Sequence, residues 1–202
     1  MIIRLTINLG DDALSRFSAR DVTLTATFSA MAVAAAVLIR VAGPLVPFSP
    51  MPFVVMLAGG LLGPRLGALS IIVYILMCLI GVPVFASPPF GGPAYVFVPT
   101  FGFLLGFVCS AYVIGLMLKS PERQELKHYL LAMFVGILVY NAVGLPYLYV
   151  ILTFYLGGTY SLINILLIGF FPFVILDMVK GVAAAFLARA VAKRLRAYGS
   201  SV

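Results

Sequence analysis

Charged residues are scarce in this sequence. Only 9% of its 202 residues are Asp, Glu, Lys or Arg, whereas 63% are hydrophobic, and the mean hydropathy is +1.18. A soluble domain has about 25% charged residues, so the composition excludes that class. It predicts an all-α integral membrane protein, surrounded by lipid, that crosses the cell membrane several times. The length suits about six spans of roughly 20 residues with short connections, which predicts one membrane domain without a soluble catalytic domain.

Residues that carry catalytic or metal chemistry are also scarce. The one histidine, His128, lies in the charged loop at residues 119–128, and the two cysteines, Cys78 and Cys109, stand singly in apolar runs. Single cysteines in apolar runs predict core packing rather than a metal site. The sequence contains no HExxH, GxSxG or Walker A motif. We therefore expect no enzyme, no metal and no cofactor, and any ATP-driven step requires an ATPase on another chain.

The net charge of +7 comes from basic residues at the ends of apolar segments. This pattern is typical of membrane topology rather than of nucleic-acid binding. Six spans with both termini in the cytoplasm place eleven of the thirteen Lys and Arg residues on the cytoplasmic side; Arg40 and Lys180 are the exceptions. Residues 1–21 are then a cytoplasmic segment, and residues 146–171 stay unassigned. The predicted spans cover about 22–42, 51–62, 66–80, 100–118, 129–145 and 172–190.

An acid and a base, Asp177 and Lys180, stand in the last apolar segment. Positions i and i+3 share one face of a helix, and ionisable groups within a membrane usually face a cavity, a pathway or each other. Two interpretations are open. The side chains either neutralise each other as a structural ion pair, or they offer an acceptor and a donor to a small polar ligand held among aromatic residues. Both residues are predicted in the outer half of the membrane.

Residues 81–100, called the aromatic loop below, are apolar but interrupted by glycine and proline throughout. Such a segment cannot form a regular helix, and irregular backbone at membrane depth is tolerated only where it packs in protein or lines a cavity. We interpret the loop as an extracytoplasmic lid or wall of a binding site, with a structural cap over the bundle as the alternative. The predicted substrate-binding residues are the acid–base pair, five loop residues and two further polar residues: Asp177, Lys180, Phe85, Gly91, Gly92, Tyr95, Thr100, Arg40 and Asn141.

Small residues cluster in the first predicted span. Ala30 and Ala34, and likewise Ala32 and Ala36, are pairs four residues apart. Pairs of small residues at this spacing let a second helix approach closely. That second helix belongs either to the same bundle or to a partner protein, and the pattern favours neither.

Taken together, several segments of the sequence resemble the BioY family of biotin-binding S components of energy-coupling factor (ECF) transporters. They are residues 81–85, 91–92 and 99–107, Pro172-Phe173, and Asp177-Met178-Val179-Lys180. The resemblance implies six helices, capture of biotin from outside and biotin binding by Asp177 and Lys180. It also implies a transmembrane T subunit, facing the alanine-rich first helix, and two cytoplasmic ATPase subunits.

The predicted function is therefore that of a high-affinity biotin-binding subunit of an ATP-driven importer. Two alternatives stay open. One is an S component for another vitamin, and the other is an intramembrane enzyme or a structural membrane subunit.

Overall fold

A computed structural model of the chain describes residues 18–42, 49–120 and 125–199. Across these ranges the regular structure is helical and no strand occurs, which confirms the predicted all-α class. They contain a 3₁₀ turn, Pro93–Phe97, and a π-helical turn, Ile151–Tyr155. The α-helices are α1 Ala19–Ala42, α2 Met51–Leu79, α3 Phe101–Leu118, α4 Leu126–Val150, α5 Leu162–Gly169 and α6 Phe171–Gly199.

Five of the described helices are long and apolar enough to cross a membrane. They are α1, α2, α3, α4 and α6, whereas α5 has only eight residues. A membrane core about 30 Å thick requires roughly 20 helical residues, so α5 does not span it alone. The protein is a multi-pass membrane protein, as the composition predicted.

Helix α1 begins earlier than the predicted residue 22, because residue 18 caps it. The backbone N–H of Asp21 donates to Ser18 Oγ over 3.2 Å, and the backbone N–H of Ser18 donates to Asp21 Oδ2 over 3.0 Å. This reciprocal arrangement satisfies two backbone donors that the first turn of a helix otherwise leaves unpaired. Most of the predicted cytoplasmic segment, residues 1–17, lies outside the described residues.

Helix α2 reverses its direction at Gly63. This glycine has φ 78° and ψ −176°, and Pro64 follows it. A β-carbon built on Gly67 would lie only 2.8 Å from the carbonyl oxygen of Ala58, whereas nine residues of straight helix span about 13.5 Å. The two halves of α2 therefore pack against each other, and the break lies between the predicted segments 51–62 and 66–80.

The other helices assemble around α2. Helix α1 packs on α2, α3 packs between α2 and α4, and α6 packs against both α2 and α4. Small residues make these approaches close. For example, a β-carbon on Gly59 would lie 2.6 Å from the backbone oxygen of Ala111, and Ala184 and Ala188 of α6 are fully buried. Close backbone approach through small residues is the usual way in which membrane helices gain packing energy.

The unassigned residues 146–171 contain four different structures. Helix α4 continues through Pro146 to Val150, the π-helical turn follows, and an irregular stretch then leads to the short helix α5. A proline is tolerated inside a membrane helix where neighbouring groups satisfy the freed backbone. The predicted span 129–145 is accordingly shorter than the observed helix. Helix α6 also extends beyond residue 190, through a basic segment, to Gly199.

Candidate ligand-binding site

Asp177 and Lys180 form an ion pair on α6. Lys180 Nζ donates to Asp177 Oδ1 over 2.7 Å, and their side chains are 18% and 7% exposed, respectively. The pair forms because the i, i+3 spacing puts both groups on one helix face. Since each charge neutralises the other, the pair has no net charge but still presents both a donor and an acceptor.

Tyr140 of α4 completes this cluster, and the sequence analysis did not predict it. Its hydroxyl donates to Asp177 Oδ2, so each carboxylate oxygen has one donor from the protein. Tyr140 is 3% exposed, and the next residue, Asn141, is also buried and donates from Nδ2 to the backbone oxygen of Ile137 over 2.8 Å. The only sequence signal was that Tyr140 and Asn141 are adjacent polar residues in an apolar helix. This signal does not indicate that Tyr140 contacts Asp177, which lies 37 positions away.

A cavity of about 440 Å³ lies beside the ion pair. This volume falls within the range of small-molecule sites. The wall combines a few polar groups with many apolar and aromatic side chains, as is usual for such sites. Six of the nine predicted substrate-binding residues line it: Asp177, Lys180, Phe85, Tyr95, Thr100 and Asn141.

Aromatic side chains build the wall that the aromatic loop contributes. The rings of Phe85 and Tyr95 are stacked with centroids 3.7 Å apart, and Tyr74 of α2 meets Phe85 edge-on at 5.9 Å. All three rings are buried. The hydroxyl groups of Tyr95 and Ser87 are hydrogen-bonded to each other over 2.9 Å. The loop therefore lines the cavity with closely packed aromatic side chains and with hydroxyl groups beside them.

The other three predicted residues, Arg40, Gly91 and Gly92, do not line the cavity. Arg40 at the end of α1 donates to the backbone oxygen of Pro83 over 2.9 Å, and its guanidinium lies 5.0 Å from the centre of the Phe90 ring. It thus attaches α1 to the aromatic loop.

The two glycines shape the loop itself. A β-carbon on Gly91 would lie 2.6 Å from the backbone oxygen of Val82, and Gly92 has φ 92°. The backbone N–H of Gly92 also donates to the carbonyl oxygen of Cys78 over 2.8 Å. Both positions therefore favour glycine for reasons of backbone packing and conformation.

The four predicted docking alanines lie on two different faces of α1. Ala30 and Ala34 are exposed, but Ala32 and Ala36 are 0% and 2% exposed inside the bundle, and Ala36 also lines the cavity. The prediction that Ala32 and Ala36 form a docking surface is therefore wrong. Close packing of α1 within the bundle accounts for the small residues at positions 32 and 36 but not for those at positions 30 and 34.

Comparison with known proteins gives the family. The model of the BioY family matches residues 11–197. The chain belongs to the BioY family. The resemblance noted from the segments around residues 81–107 and 172–180 is thereby confirmed.

Two BioY relatives cover most of this chain. A protein of Lysinibacillus sphaericus named probable biotin transporter BioY is 39% identical over 183 residues, which is 91% of this chain and 92% of the relative. The biotin transporter BioY of Thermotoga maritima is 35% identical over 84% of this chain and 94% of its own length. Membership of the family is therefore a property of almost the whole chain.

A solved structure has the same fold. The crystal structure of the S-component for biotin from an ECF-type ABC transporter superposes with a TM-score of 0.70 at 23% identity, and the match covers 86% of this chain and 91% of that one. The architecture of this BioY chain is thus the S-component fold.

The charged groups of the site are already paired with protein groups. In the part of the chain that the structure describes, no group of three or more His, Cys, Asp or Glu residues could hold a metal ion. The carboxylate of Asp177 is already bonded to Tyr140 and Lys180. What the site offers is a mostly apolar cavity with a paired donor and acceptor in its wall.

Proposed function

We propose that this chain is the biotin-capturing S component of an ECF-type importer. The observation that carries the proposal is the neutral Asp177–Lys180 pair on the wall of a 440 Å³ aromatic cavity in a BioY-family fold. The names of the relatives from Lysinibacillus sphaericus and Thermotoga maritima support biotin as the ligand.

The chemistry of biotin suits the two ends of this site. Its ureido ring carries N–H donors and a carbonyl acceptor without net charge. A neutral pair such as Asp177 and Lys180 offers the complementary acceptor and donor, whereas it offers no net attraction to an anion. We therefore place the ureido ring at this pair, with Asn141 also lining the cavity.

The rest of the ligand then lies against the aromatic loop. The fused ring system of biotin packs against Phe85 and Tyr95, and hydroxyl groups such as that of Thr100 donate hydrogen bonds to the carboxylate of biotin. Arg40, Gly91 and Gly92 contribute by holding the loop in place rather than by touching biotin.

The topology belongs to the same proposal. We count the two halves of α2 as separate crossings because the chain reverses direction at Gly63, although each half is shorter than a full span of roughly 20 residues. The five apolar helices then give six spans, with both termini in the cytoplasm. Basic residues support this orientation, since Arg65 follows the break in α2 and Lys119 follows α3. The aromatic loop then lies on the outer side, where it receives biotin from outside.

The partners follow from the S-component role. A transmembrane T subunit docks on the outward face of α1, at Ala30 and Ala34, and two cytoplasmic ATPase subunits supply energy. The chain itself carries no catalytic role in this scheme. Co-purification of the T subunit and the ATPases with the tagged chain tests this assembly.

Isothermal titration of the detergent-purified protein with biotin tests the function. We expect saturable binding of one biotin per chain, and weaker binding of an analogue whose ureido oxygen is replaced by an imino group. Mass spectrometry of the ligand released from protein purified from cells identifies any competing vitamin. An absence of saturable biotin binding, or a different bound vitamin, contradicts the proposal.

A further inference from the structure

A line of contacts joins three helices at the cavity wall. It starts at Gly106 of α3, passes through Tyr140 of α4 and ends at Asp177 of α6. A β-carbon on Gly106 would lie 2.6 Å from the backbone oxygen and 2.8 Å from the Cα of Tyr140. Only glycine permits this approach without a shift of α4. The position of Tyr140 is therefore set by close packing of α3 on α4.

The side chain of Tyr140 is held in one orientation. Its ring meets Phe107 at a centroid distance of 5.1 Å with an interplanar angle of 66°, and its hydroxyl donates to Asp177 Oδ2. Both Tyr140 and Phe107 line the cavity. Packing against Phe107 therefore holds the hydroxyl of Tyr140 in place beside the carboxylate of Asp177.

We propose that Tyr140 is a positioning residue that fixes the carboxylate of Asp177 for ligand recognition. This inference rests on the proposed function, because the ligand that Asp177 receives is the ureido group of biotin. A carboxylate accepts about four hydrogen bonds. With Lys180 on one oxygen and Tyr140 on the other, the plane of the carboxylate is determined and its remaining acceptor sites stay available to the ligand.

Because of the hydrogen bond from Tyr140, Asp177 is held by two donors and not by Lys180 alone. With a single donor on Oδ1, the carboxylate is free to rotate about its Cβ–Cγ bond and to turn its second oxygen away from the ligand. A donor on each oxygen removes that freedom before the ligand arrives. Preorganisation of this kind raises affinity because the ordering does not have to occur on binding.

The test compares Tyr140→Phe with Tyr147→Phe. Both remove one hydroxyl from α4, but Tyr147 donates to the backbone oxygen of Val96 instead of to Asp177. We expect Tyr140→Phe to weaken biotin binding by up to about tenfold, because the carboxylate of Asp177 then has to be ordered when the ligand binds, and ordering one side chain has an effect of about this size. Thermal unfolding of both variants is measured alongside the titrations to verify that each variant is folded.

A double-mutant cycle separates positioning from general packing. In an Asp177→Asn background, Tyr140→Phe is expected to weaken binding less than about twofold further, because its target carboxylate is gone. Tyr147→Phe is expected to have the same effect in both backgrounds. The inference is overturned if Tyr140→Phe leaves the affinity unchanged, or if its effect multiplies in full with that of Asp177→Asn.

Gly106→Ala provides a second variant if Tyr140→Phe does not fold. It displaces the backbone of Tyr140, whereas the matched change Gly102→Ala on the same helix meets the side chain of Tyr147. We expect only Gly106→Ala to be coupled to Asp177→Asn in the binding cycle. Full additivity of both glycine variants contradicts the inference.

A ligand-free measurement distinguishes failure of this inference from failure of the proposed function. The infrared carboxylate bands of Asp177 are obtained as the difference between wild type and Asp177→Asn. Tyr140→Phe is expected to shift these bands and Tyr147→Phe to leave them in place. If the wild-type protein does not bind biotin, the proposed function is wrong. If Tyr140→Phe leaves the carboxylate bands of Asp177 unshifted, the inference about Tyr140 is wrong.

Discussion

Replacing Lys180 by methionine removes the positive charge from the ion pair while keeping most of the side-chain volume. Asp177, which is buried, then retains only the hydroxyl of Tyr140 as a donor. Breaking a buried ion pair by removing one partner costs about 3–5 kcal/mol, and we expect the lower end because Tyr140 still donates. Thermal unfolding in detergent is therefore expected to occur at a lower temperature.

The expected loss of biotin affinity follows from the contacts of the same ammonium. The Nζ of Lys180 donates to Asp177 Oδ1 over 2.7 Å, and Lys180 lines the cavity. An ammonium carries three N–H donors, so two of them stay available to a ligand. One hydrogen bond to a charged group contributes about 1.5–3 kcal/mol, and each 1.4 kcal/mol changes the Kd about tenfold. We expect Lys180→Met to raise the Kd for biotin about 10- to 100-fold in an isothermal titration.

A double variant separates stability from binding. Asp177→Asn combined with Lys180→Met replaces the ion pair by neutral groups, which is often neutral for stability. We expect the unfolding temperature to recover while biotin binding stays weak. Lys193→Met, an exposed position on the same helix, is the matched control and is expected to leave both quantities unchanged. Wild-type affinity in Lys180→Met would refute the reasoning, since the pair would then be purely structural.

Three further predictions concern the surroundings of the site. Arg40→Gln is expected to raise the dissociation rate of biotin several-fold in stopped-flow measurements, because it weakens the attachment of α1 to the aromatic loop. Gly91→Ala is expected to weaken equilibrium binding, because its β-carbon would meet the backbone oxygen of Val82 at 2.6 Å. Ala30→Leu with Ala34→Leu is expected to abolish co-purification of the T subunit without changing the Kd for biotin.

The controls for these predictions come from the same chain. Ala183→Leu with Ala190→Leu makes the same change at exposed alanines of α6 and is expected to preserve co-purification. Unaltered dissociation in Arg40→Gln would show that the loop does not limit release. Unaltered binding in Gly91→Ala would show that the loop backbone adapts to an added methyl group. T-subunit recovery with the α1 double variant would exclude the outward face of α1 as the docking surface.

Local features of the sequence predicted the parts of the site that depend on neighbouring residues. Asp177 and Lys180 lie three residues apart, so helix geometry alone put them together. The density of glycine and proline in residues 81–100 excluded a regular helix, and the structure has only a 3₁₀ turn there. The break at Gly63-Pro64 is a local signal of the same kind.

The faces of α1 were not predictable in this way. In a soluble helix, an apolar stripe marks the buried side, but in a membrane both lipid and protein interior are apolar. Ala30 and Ala32 therefore look equivalent in the sequence, although the first is exposed and the second is fully buried. The distinction depends on where α2 packs.

The sequence by itself determined the membrane class, the family and the acid–base pair, because composition and short spacings act within one segment. Only the tertiary structure decided that Tyr140 contacts Asp177, that Arg40 holds the aromatic loop, and that two of four alanines are inside the bundle. These contacts join residues tens of positions apart. They depend on the relative placement of whole helices, which is set by close packing at glycines such as Gly106 and has no local signature in the chain.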